Sequence, residues 1–509
     1  MKIILRYLHT FLFAISVPIY VYTSQSHIYI HAEPDSIWRF VFVFLVCAVF
    51  LNVASFALLR EHIPAGLVSS CLVLGLLYPR DLFFLITGII LLTSTLLAFV
   101  KKQFDLIDSF RVATVISIVL TIYAGLQYMS LSGLFANYEE NFMADPVETK
   151  PFTRETSSKP DIYYIILDAY GGEAMLKELH AFDNSMFTSA LRERGFILSP
   201  TSKSNYLRTI HSLSSSLNMQ YLDSVSRTMG DSPLWWPLKG TFVNNEVQTF
   251  LESQGYKTVL VASGWDLTTI KDVDEFKQPY PIFLNEFEGF FIEDTNLSLF
   301  NLLKDLGVSF PSYDVHRRTV LYEFEQLKNI PEMDSPKFTF VHIVSPHPPF
   351  VFDAQGSPRN PEYRFTIADN RYLILPPSRY EKSYLDQMLF VNTQILEVVD
   401  AILEKSPTPP IIIIQGDHGP GIFIDSQTSS PPCFYERYSI LNAYYLPGMD
   451  PGDISADITP VNTFRMIFNH YFSADLELLS NQQYFSSPES IHQFEDVTDR
   501  TDDSCMFPQ

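Results

Sequence analysis

Three short apolar segments of this 509-residue chain are each followed by side chains that bind metal ions or phosphate. These side chains are Asp168 after Ile165 to Leu167, His347 in a His-Pro-Pro turn after Val341 to Val344, and Asp417-His418-Gly419 after Ile411 to Ile414. Carboxylates and imidazoles are ligands for Mg, Mn or Zn. Singly, an Asp after a strand is typical of a turn or helix cap, and Asp-His-Gly of an ordinary loop. Their recurrence after three predicted strands indicates a metal site.

A nucleophile is suggested by Thr209. It follows a polar loop rich in Ser and Asn and opens the helical spacing of Ile210, Leu213 and Leu217. A helix N-terminus offers amide groups and a dipole that favour an anionic phosphate. From local sequence alone, a simple helix-capping role for Thr209 is the competing interpretation.

The elements that position these residues follow from apolar periodicity. The pattern predicts strands over 161–167, 256–262, 338–344, 411–414 and 441–446, and helices over 173–194, 381–403 and 461–472, with another helical stretch through Phe250 and Leu251. Short apolar strands alternating with amphipathic helices favour an α/β domain whose mostly parallel sheet lies between helical layers. Ligands of such sheets bind at the carboxyl ends of the strands, where the three candidate segments end.

The first 130 residues have a different character. Five uncharged runs, 7–32, 40–59, 63–79, 82–100 and 112–138, each contain a core near the roughly 17 to 25 residues of a spanning helix. We therefore predict a bundle of five transmembrane helices. A cytoplasmic N-terminus places six basic residues inside (Lys2, Arg6, Arg60, Lys101, Lys102 and Arg111) and leaves Arg39 and Arg80 outside.

An odd number of crossings delivers the rest of the chain to the outer face of the plasma membrane. We predict an anchor over 1–130, a polar connector over 131–159, a catalytic domain over 160–475 and a C-terminal tail over 476–509. The anchor carries a net charge of +2 and the remainder −24, which argues against a nucleic-acid partner. A disulfide between Cys433 and Cys505 and the oligomeric state stay open.

Together, Ile-Ile-Leu-Asp168, Thr209 behind its Ser/Asn loop, His347 in its His-Pro-Pro turn and Asp417-His418-Gly419 resemble the alkaline-phosphatase and sulfatase superfamily. The branch most similar contains membrane-anchored lipoteichoic acid synthases and lipid A phosphoethanolamine transferases. The resemblance implies an alkaline-phosphatase-like fold after the membrane anchor, with catalysis at Thr209 and His347.

The resemblance also implies a ligand set. Asp168, Thr209, Asp417 and His418 would hold one divalent ion, Mn, Mg or Zn, with room for a second ion near His347. Arg208 and His342 would help to bind substrate. Asp168 stands where that branch commonly has Glu, and the signature Cys/Ser-x-Pro-x-Arg needed for formylglycine is absent around Thr209, which disfavours cleavage of sulfate esters.

The expected function is transfer of a phospholipid headgroup, glycerol phosphate or phosphoethanolamine, to an extracytoplasmic glycan or lipid acceptor. A bound divalent cation makes a Thr209 alkoxide plausible, and an ester on Thr209 would hold the transferred group. The same residues would serve a phosphodiesterase or phosphatase if water were the acceptor. A non-catalytic, glycan-binding scaffold is the third interpretation.

Overall fold

The structure is a computed structural model of the full chain and divides into two compact units, 1–140 with 282–310 and 141–281 with 311–509. It describes residues 4–24, 37–77, 106–141, 159–232, 235, 237–280, 282–284, 288, 308–309, 312–363, 365–367, 375–423 and 433–502. The predicted boundaries of anchor, connector, catalytic domain and tail stay predictions.

The first unit contains four described helices, α1 (Leu8–Ser24), α2 (Ile37–Leu59), α3 (His62–Leu77) and α4 (Leu106–Asn141), and the short parallel strands β5 (Ile282–Phe283) and β6 (Val308–Ser309). Among the described residues, two helices are long and apolar enough to span a membrane, Ile37–Leu59 and Leu106–Ser130. The prediction of five spans is therefore too high for the described chain. The first and third predicted spans are helices of 17 and 16 residues, too short to qualify, and the fourth lies outside the described residues.

The second unit is an α/β domain, as the alternation of strands and helices predicts. Its helices are α5 (Glu173–His180), α6 (Ser185–Glu193), α7 (Thr209–Asn218), α8 (Asp223–Met229), α9 (Pro237–Val243), α10 (Glu246–Ser253), α11 (Tyr313–Asn329), α12 (Pro377–Lys405), α13 (Phe434–Tyr438) and α14 (Pro460–Phe472). Its strands are β1 (Ile162–Leu167), β2 (Ile197–Leu198), β3 (Lys257–Val261), β4 (Glu275–Lys277), β7 (Lys337–Ile343), β8 (Ile411–Gly416), β9 (Asn442–Tyr445), β10 (Tyr484–Phe485) and β11 (Glu495–Asp496).

Seven strands form one sheet in the order β2-β9-β8-β1-β7-β3-β4. β1 lies at its centre, between β7 and β8, and pairs with both in parallel. β9 runs antiparallel to β8 and to β2. All six residues of β1 are buried, as expected for a central parallel strand covered on both faces. Because β1, β7 and β8 run in the same direction, the residues that follow them meet at one edge of the sheet.

The predicted helix over 173–194 is two helices, because Ala181 takes a left-handed conformation (φ 49°) that ends α5. The segment predicted as a C-terminal tail is described to residue 502 and contains the antiparallel ribbon of β10 and β11. The Tyr484 amide donates a hydrogen bond of 2.9 Å to the Asn205 carbonyl oxygen. The ribbon therefore packs on the loop that leads to Thr209.

Candidate functional site

Asp168 lies at the carboxyl end of β1 and is buried. The turn after it is sharp: Ala169 has φ 61°, a left-handed conformation that is uncommon outside glycine. The Tyr384 hydroxyl holds this turn, since it donates to the Ala169 carbonyl oxygen at 2.8 Å and accepts from the Gly171 amide at 3.1 Å. The carboxylate of Asp168 is thus fixed in place by the backbone that follows it.

Asp417 and His418 lie at the end of β8, beside Asp168. Asp417 Oδ1 accepts hydrogen bonds from the Ala169 amide (3.0 Å) and the His418 amide (2.9 Å). The His418 ring donates from Nδ1 to the Gly419 carbonyl oxygen at 2.9 Å. His418 Nε2 therefore presents a lone pair to the site, which is the form of imidazole that binds a metal.

Gly419 permits this arrangement because its backbone is pressed against its neighbours. A Cβ atom at this position would lie 1.9 Å from the Glu436 carbonyl oxygen and 2.9 Å from that of Ser439. Both contacts are with backbone, which cannot move aside easily. The loop that carries Asp417 and His418 thus requires glycine at its third position.

Thr209 is the first residue of α7, and the helix N-cap position is Arg208. The structure confirms the predicted helix N-terminus but not the capping interpretation of Thr209. The Thr209 hydroxyl lies 3.2 Å from His418 Nε2 and donates to it. The structure thus brings the candidate nucleophile to the candidate metal ligands.

The loop before Thr209 is ordered by its own polar side chains. The Ser202 hydroxyl donates to the Ile458 carbonyl oxygen at 2.6 Å. The Asn205 side chain donates to the Gln482 carbonyl oxygen at 2.9 Å and accepts from the Val461 amide at 3.0 Å. The Ser/Asn composition noted in the sequence thus supplies hydrogen bonds that hold a buried loop in place.

Two buried carboxylate oxygens of the site, Asp168 Oδ1 and Asp417 Oδ2, have no hydrogen-bond partner among the described residues. They lie 3.7 Å and 3.4 Å from His418 Nε2. Ligand atoms around a tetrahedral ion with bonds of about 2.1 Å are about 3.4 Å apart, so these spacings suit a divalent cation. Asp168, Asp417 and His418 form a buried group that could bind a metal, with ligand atoms within 4.8 Å of one another.

His342 and His347 lie on the other side of Asp168. His342 is buried; its Nε2 donates to Asp168 Oδ2 at 3.2 Å, and its Nδ1 accepts from the Thr268 hydroxyl at 3.0 Å. His347 donates from Nδ1 to the Pro348 carbonyl oxygen at 2.6 Å, and its ring centre is 6.3 Å from that of His418. The structure therefore places His347 near His418. It places His342 against Asp168, where the His342 ring orients the Asp168 carboxylate.

The electrostatics of the site favour an ionised Asp168. Burial raises the pKa of this carboxyl, but the attraction to His347 and the hydrogen bond from His342 outweigh burial, so the pKa lies well below its ordinary value. An ionised carboxylate is the form that binds a cation.

Arg208 contacts two residues outside this cluster. Its guanidinium donates to the Ser486 hydroxyl at 3.0 Å and lies over the Trp235 ring, 5.3 Å from the ring centre. A substrate role for Arg208 and for His342 stays a prediction.

Sequence reasoning missed three residues that shape the site: Tyr384, Thr268 and Arg437. Tyr384 lies on α12 and Thr268 on a short connection after β3, so neither follows a strand that carries a ligand. Arg437 lies in α13 and is buried. The signal in the sequence that could have indicated Arg437 is its charge, since the surrounding stretch 434–446 is mostly apolar and aromatic.

Comparison with known proteins gives a family match. A family model described as Sulfatase matches residues 160–454. This segment begins just before β1 and includes Asp168, Thr209, His347, Asp417 and His418. No curated protein matches the chain.

Several solved structures are similar at low identity. One is the C-terminal periplasmic domain of EcEptC from Escherichia coli in complex with Zn (12% identity, TM-score 0.45, 70% of this chain and 98% of that one). Others are the C-terminal periplasmic domain of phosphoethanolamine transferase EptC from Campylobacter jejuni (10%, TM-score 0.38, 64% and 92%) and the phosphonate monoester hydrolase of Agrobacterium radiobacter (14%, TM-score 0.39, 64% and 80%).

Proposed function

This chain belongs to the sulfatase family, whose members act on ester bonds, and on that premise we propose that it is a membrane-anchored, metal-dependent phosphotransferase. It moves a phospholipid headgroup, glycerol phosphate or phosphoethanolamine, to an extracytoplasmic glycan or lipid acceptor. One observation carries the proposal: the Thr209 hydroxyl, at the N-terminus of α7, lies 3.2 Å from His418 Nε2 in a cluster that suits a divalent cation.

Asp168, Asp417, His418 and Thr209 would hold the divalent ion, Mn, Mg or Zn, with a second ion near His347 as a further option. The ion would supply positive charge that favours the Thr209 alkoxide and offsets the negative charge on the phosphoryl oxygens. The first amides of α7 and the positive end of its dipole act on the same phosphate. The chain thus surrounds an anionic group with positive charge where Thr209 begins its helix.

Thr209 Oγ1 attacks the phosphorus of the lipid phosphodiester, and the bond from phosphorus to the diacylglycerol oxygen breaks. The Thr209 proton leaves to solvent, and His347 gives a proton from Nε2 to the departing diacylglycerol oxygen, since its Nδ1–H is engaged with the Pro348 carbonyl oxygen. Diacylglycerol leaves and the headgroup phosphate stays on Thr209 as an ester. An acceptor hydroxyl then attacks the same phosphorus and gives its proton to His347 Nε2. The bond from phosphorus to Thr209 Oγ1 breaks, and Thr209 regains its hydroxyl proton from solvent.

Transfer is favoured over hydrolysis by the N-terminal helices. Ile37–Leu59 and Leu106–Ser130 are long and apolar enough to cross a bilayer, and an anchored site outside the plasma membrane would meet its lipid donor directly. An enzyme that hydrolyses soluble esters gains little from such an anchor. If water takes the place of the acceptor, the same residues make a phosphodiesterase.

The test is mass spectrometry of the full chain in detergent after incubation with mixed phospholipid vesicles and Mn or Mg. We expect an adduct on Thr209 whose mass identifies the headgroup. Thr209→Ala should carry none, whereas the control Thr188→Ala, which removes a buried threonine from α6, should carry the wild-type adduct. An unmodified wild-type chain under these conditions would favour the glycan-binding scaffold.

Transferase and hydrolase are separated by their products. A transferase without acceptor releases at most about one diacylglycerol per chain and little free headgroup phosphate, because the ester on Thr209 persists. Equal and continuing release of diacylglycerol and headgroup phosphate without acceptor would identify a hydrolase.

A further inference from the structure

Arg437 is a buried arginine that joins the two loops of the site. Its Nε donates to the Leu207 carbonyl oxygen at 2.9 Å, two residues before Thr209. Its Nη1 donates to the Gly419 carbonyl oxygen at 3.1 Å, next to His418. Because a guanidinium is planar and rigid, these two contacts fix the direction of the third nitrogen.

The third nitrogen, Arg437 Nη2, lies 3.2 Å from His418 Nε2. The Thr209 hydroxyl lies 3.2 Å from the same atom. Since His418 donates from Nδ1 to Gly419, Nε2 has one lone pair, and both Nη2 and the hydroxyl point to it. Since each lies 3.2 Å from that nitrogen, Arg437 Nη2 and Thr209 Oγ1 are at most twice 3.2 Å, or 6.4 Å, apart.

A divalent cation held by His418 needs that lone pair, so Arg437 cannot keep this hydrogen bond once the cation binds. The Nη2 group is then within reach of an oxygen of a phosphoryl group on Thr209 Oγ1, the atom to which the transferred phosphorus would be joined. Guanidinium groups bind phosphate oxygens through strong, charge-assisted hydrogen bonds. The two loop contacts of Nε and Nη1 hold the guanidinium there while its partner changes.

We propose that Arg437 is a phosphate-binding residue whose Nη2 donates to His418 Nε2 before the cation binds and to an oxygen of the phosphoryl group on Thr209 afterwards. The inference rests on the proposed function, because it takes Thr209 as the nucleophile and His418 as a metal ligand. The Arg437 guanidinium would then both bind the phosphate and compete with the metal for His418 Nε2.

Calorimetry of the full chain in detergent tests both halves of this role. Mn²⁺ alone is titrated first, and inorganic phosphate is then titrated into the Mn²⁺-loaded protein. Arg437→Gln should bind Mn²⁺ about tenfold more tightly, because a competitor and a nearby positive charge are gone. It should bind phosphate about 10- to 100-fold more weakly, because a charge-assisted hydrogen bond is lost.

The matched control is Arg465→Gln. Arg465 is also buried and also bonds two carbonyl oxygens, those of Met219 (2.6 Å) and Glu477 (2.7 Å), but it contacts none of the metal-binding side chains in the described structure. Arg465→Gln should lower the melting temperature and leave both affinities within about twofold of wild type. If Arg437→Gln weakens Mn²⁺ and phosphate together, or leaves phosphate affinity unchanged, Arg437 is only a structural brace and the inference fails.

Arg437→Lys gives a second test that keeps the positive charge and a hydrogen-bond donor at this position. It should bind phosphate several-fold more weakly than wild type, because lysine lacks the planar fork; wild-type phosphate affinity would overturn the inference. The Thr209 adduct is measured separately. If Arg437→Gln binds Mn²⁺ more tightly and phosphate more weakly but no adduct forms on wild-type Thr209, the phosphate site is retained and the transferase is rejected. If the adduct forms but the two affinities do not shift, the transferase is retained and the role of Arg437 is rejected.

Discussion

β1 and β7 carry a buried acid–base pair at each end, and the two pairs differ in one respect. At the amino end, Asp161 Oδ2 accepts from Lys337 Nζ (2.6 Å) and the Ser335 hydroxyl (2.9 Å), and Oδ1 accepts from the Lys337 amide (3.1 Å). At the carboxyl end, Asp168 Oδ2 has His342, whereas Oδ1 has no hydrogen-bond partner among the described residues.

Both aspartates are about 1% exposed, so burial alone does not distinguish them. What differs is whether the hydrogen-bonding capacity of the carboxylate is used within the chain. A buried carboxylate whose two oxygens are both bonded is explained by stability, whereas an unpartnered oxygen beside other ligands indicates an external partner. The comparison therefore assigns a structural role to Asp161 and supports the proposed metal-binding role of Asp168.

The largest expected effect comes from Asp168→Asn. Loss of one charged ligand should lower the rate of lipid turnover at least about ten-thousandfold, as removal of one member of a catalytic unit does. The free energy of unfolding in EDTA should fall by less than it does in Asp161→Asn, because the amide oxygen still accepts from His342 Nε2 and only the attraction between the carboxylate charge and the histidines is lost. Turnover assays and thermal unfolding measure the two quantities; retained turnover would contradict the proposed role of Asp168.

Asp161→Asn should show the opposite pattern. It leaves the Lys337 ammonium buried without its charge partner, which should cost about 3–5 kcal/mol of unfolding free energy. Affinity for Mn²⁺ should stay at the wild-type value in the fraction that folds. Denaturant unfolding and calorimetry measure the two quantities, and a loss of Mn²⁺ affinity with normal stability would reverse the assignment.

The carboxyl end should also respond to pH through His316 of α11. Burial, helped by the charge on His347, lowers the pKa of His316 to about 4. Its protonation favours the unfolded chain, in which the pKa is about 6.5, so stability is full above pH 6.5 and falls by about 3 kcal/mol towards pH 4. Denaturant unfolding across this range should give a smaller fall for His316→Gln, and an equal fall would contradict the prediction.

The smallest effect is expected for Thr268, which contacts His342 on the nitrogen opposite to the one that contacts Asp168. Thr268→Val removes the hydroxyl that donates to His342 Nδ1 and frees the ring that orients the carboxylate. Loss of such an outer partner typically costs 10- to 100-fold in metal affinity. Mn²⁺ calorimetry measures this, with Thr188→Ala as the control, and an unchanged affinity would show that His342 needs no orienting partner.

The sequence predicts the central part of the fold because its strands are continuous apolar runs. The predicted strand over 161–167 is β1, and the one over 411–414 is β8 with two further residues. The ligand positions follow, since parallel strands bring their carboxyl ends to one edge. The helix over 173–194 was predicted whole because Ala181, an ordinary helix former, gives no sign of its left-handed conformation.

Contacts between distant segments were beyond the sequence. Nothing in the local pattern places Arg437 against His418 or Thr268 against His342, because each pair is joined only by the tertiary structure. The length of each membrane helix also depends on where the helix ends, which an apolar run does not show. Apolar runs were read as spans, but the third helix, His62–Leu77, has only 16 residues.

The close approach of Gly419 to the Glu436 carbonyl oxygen bears on how mutational scans of this protein should be read. Every substitution there will score as null, including alanine, with no side-chain chemistry removed. In such a scan Gly419 would rank beside Asp417 and His418, although only lack of space causes its effect. Measuring the amount of folded protein would distinguish it from those two residues, because substitutions at Gly419 lower that amount.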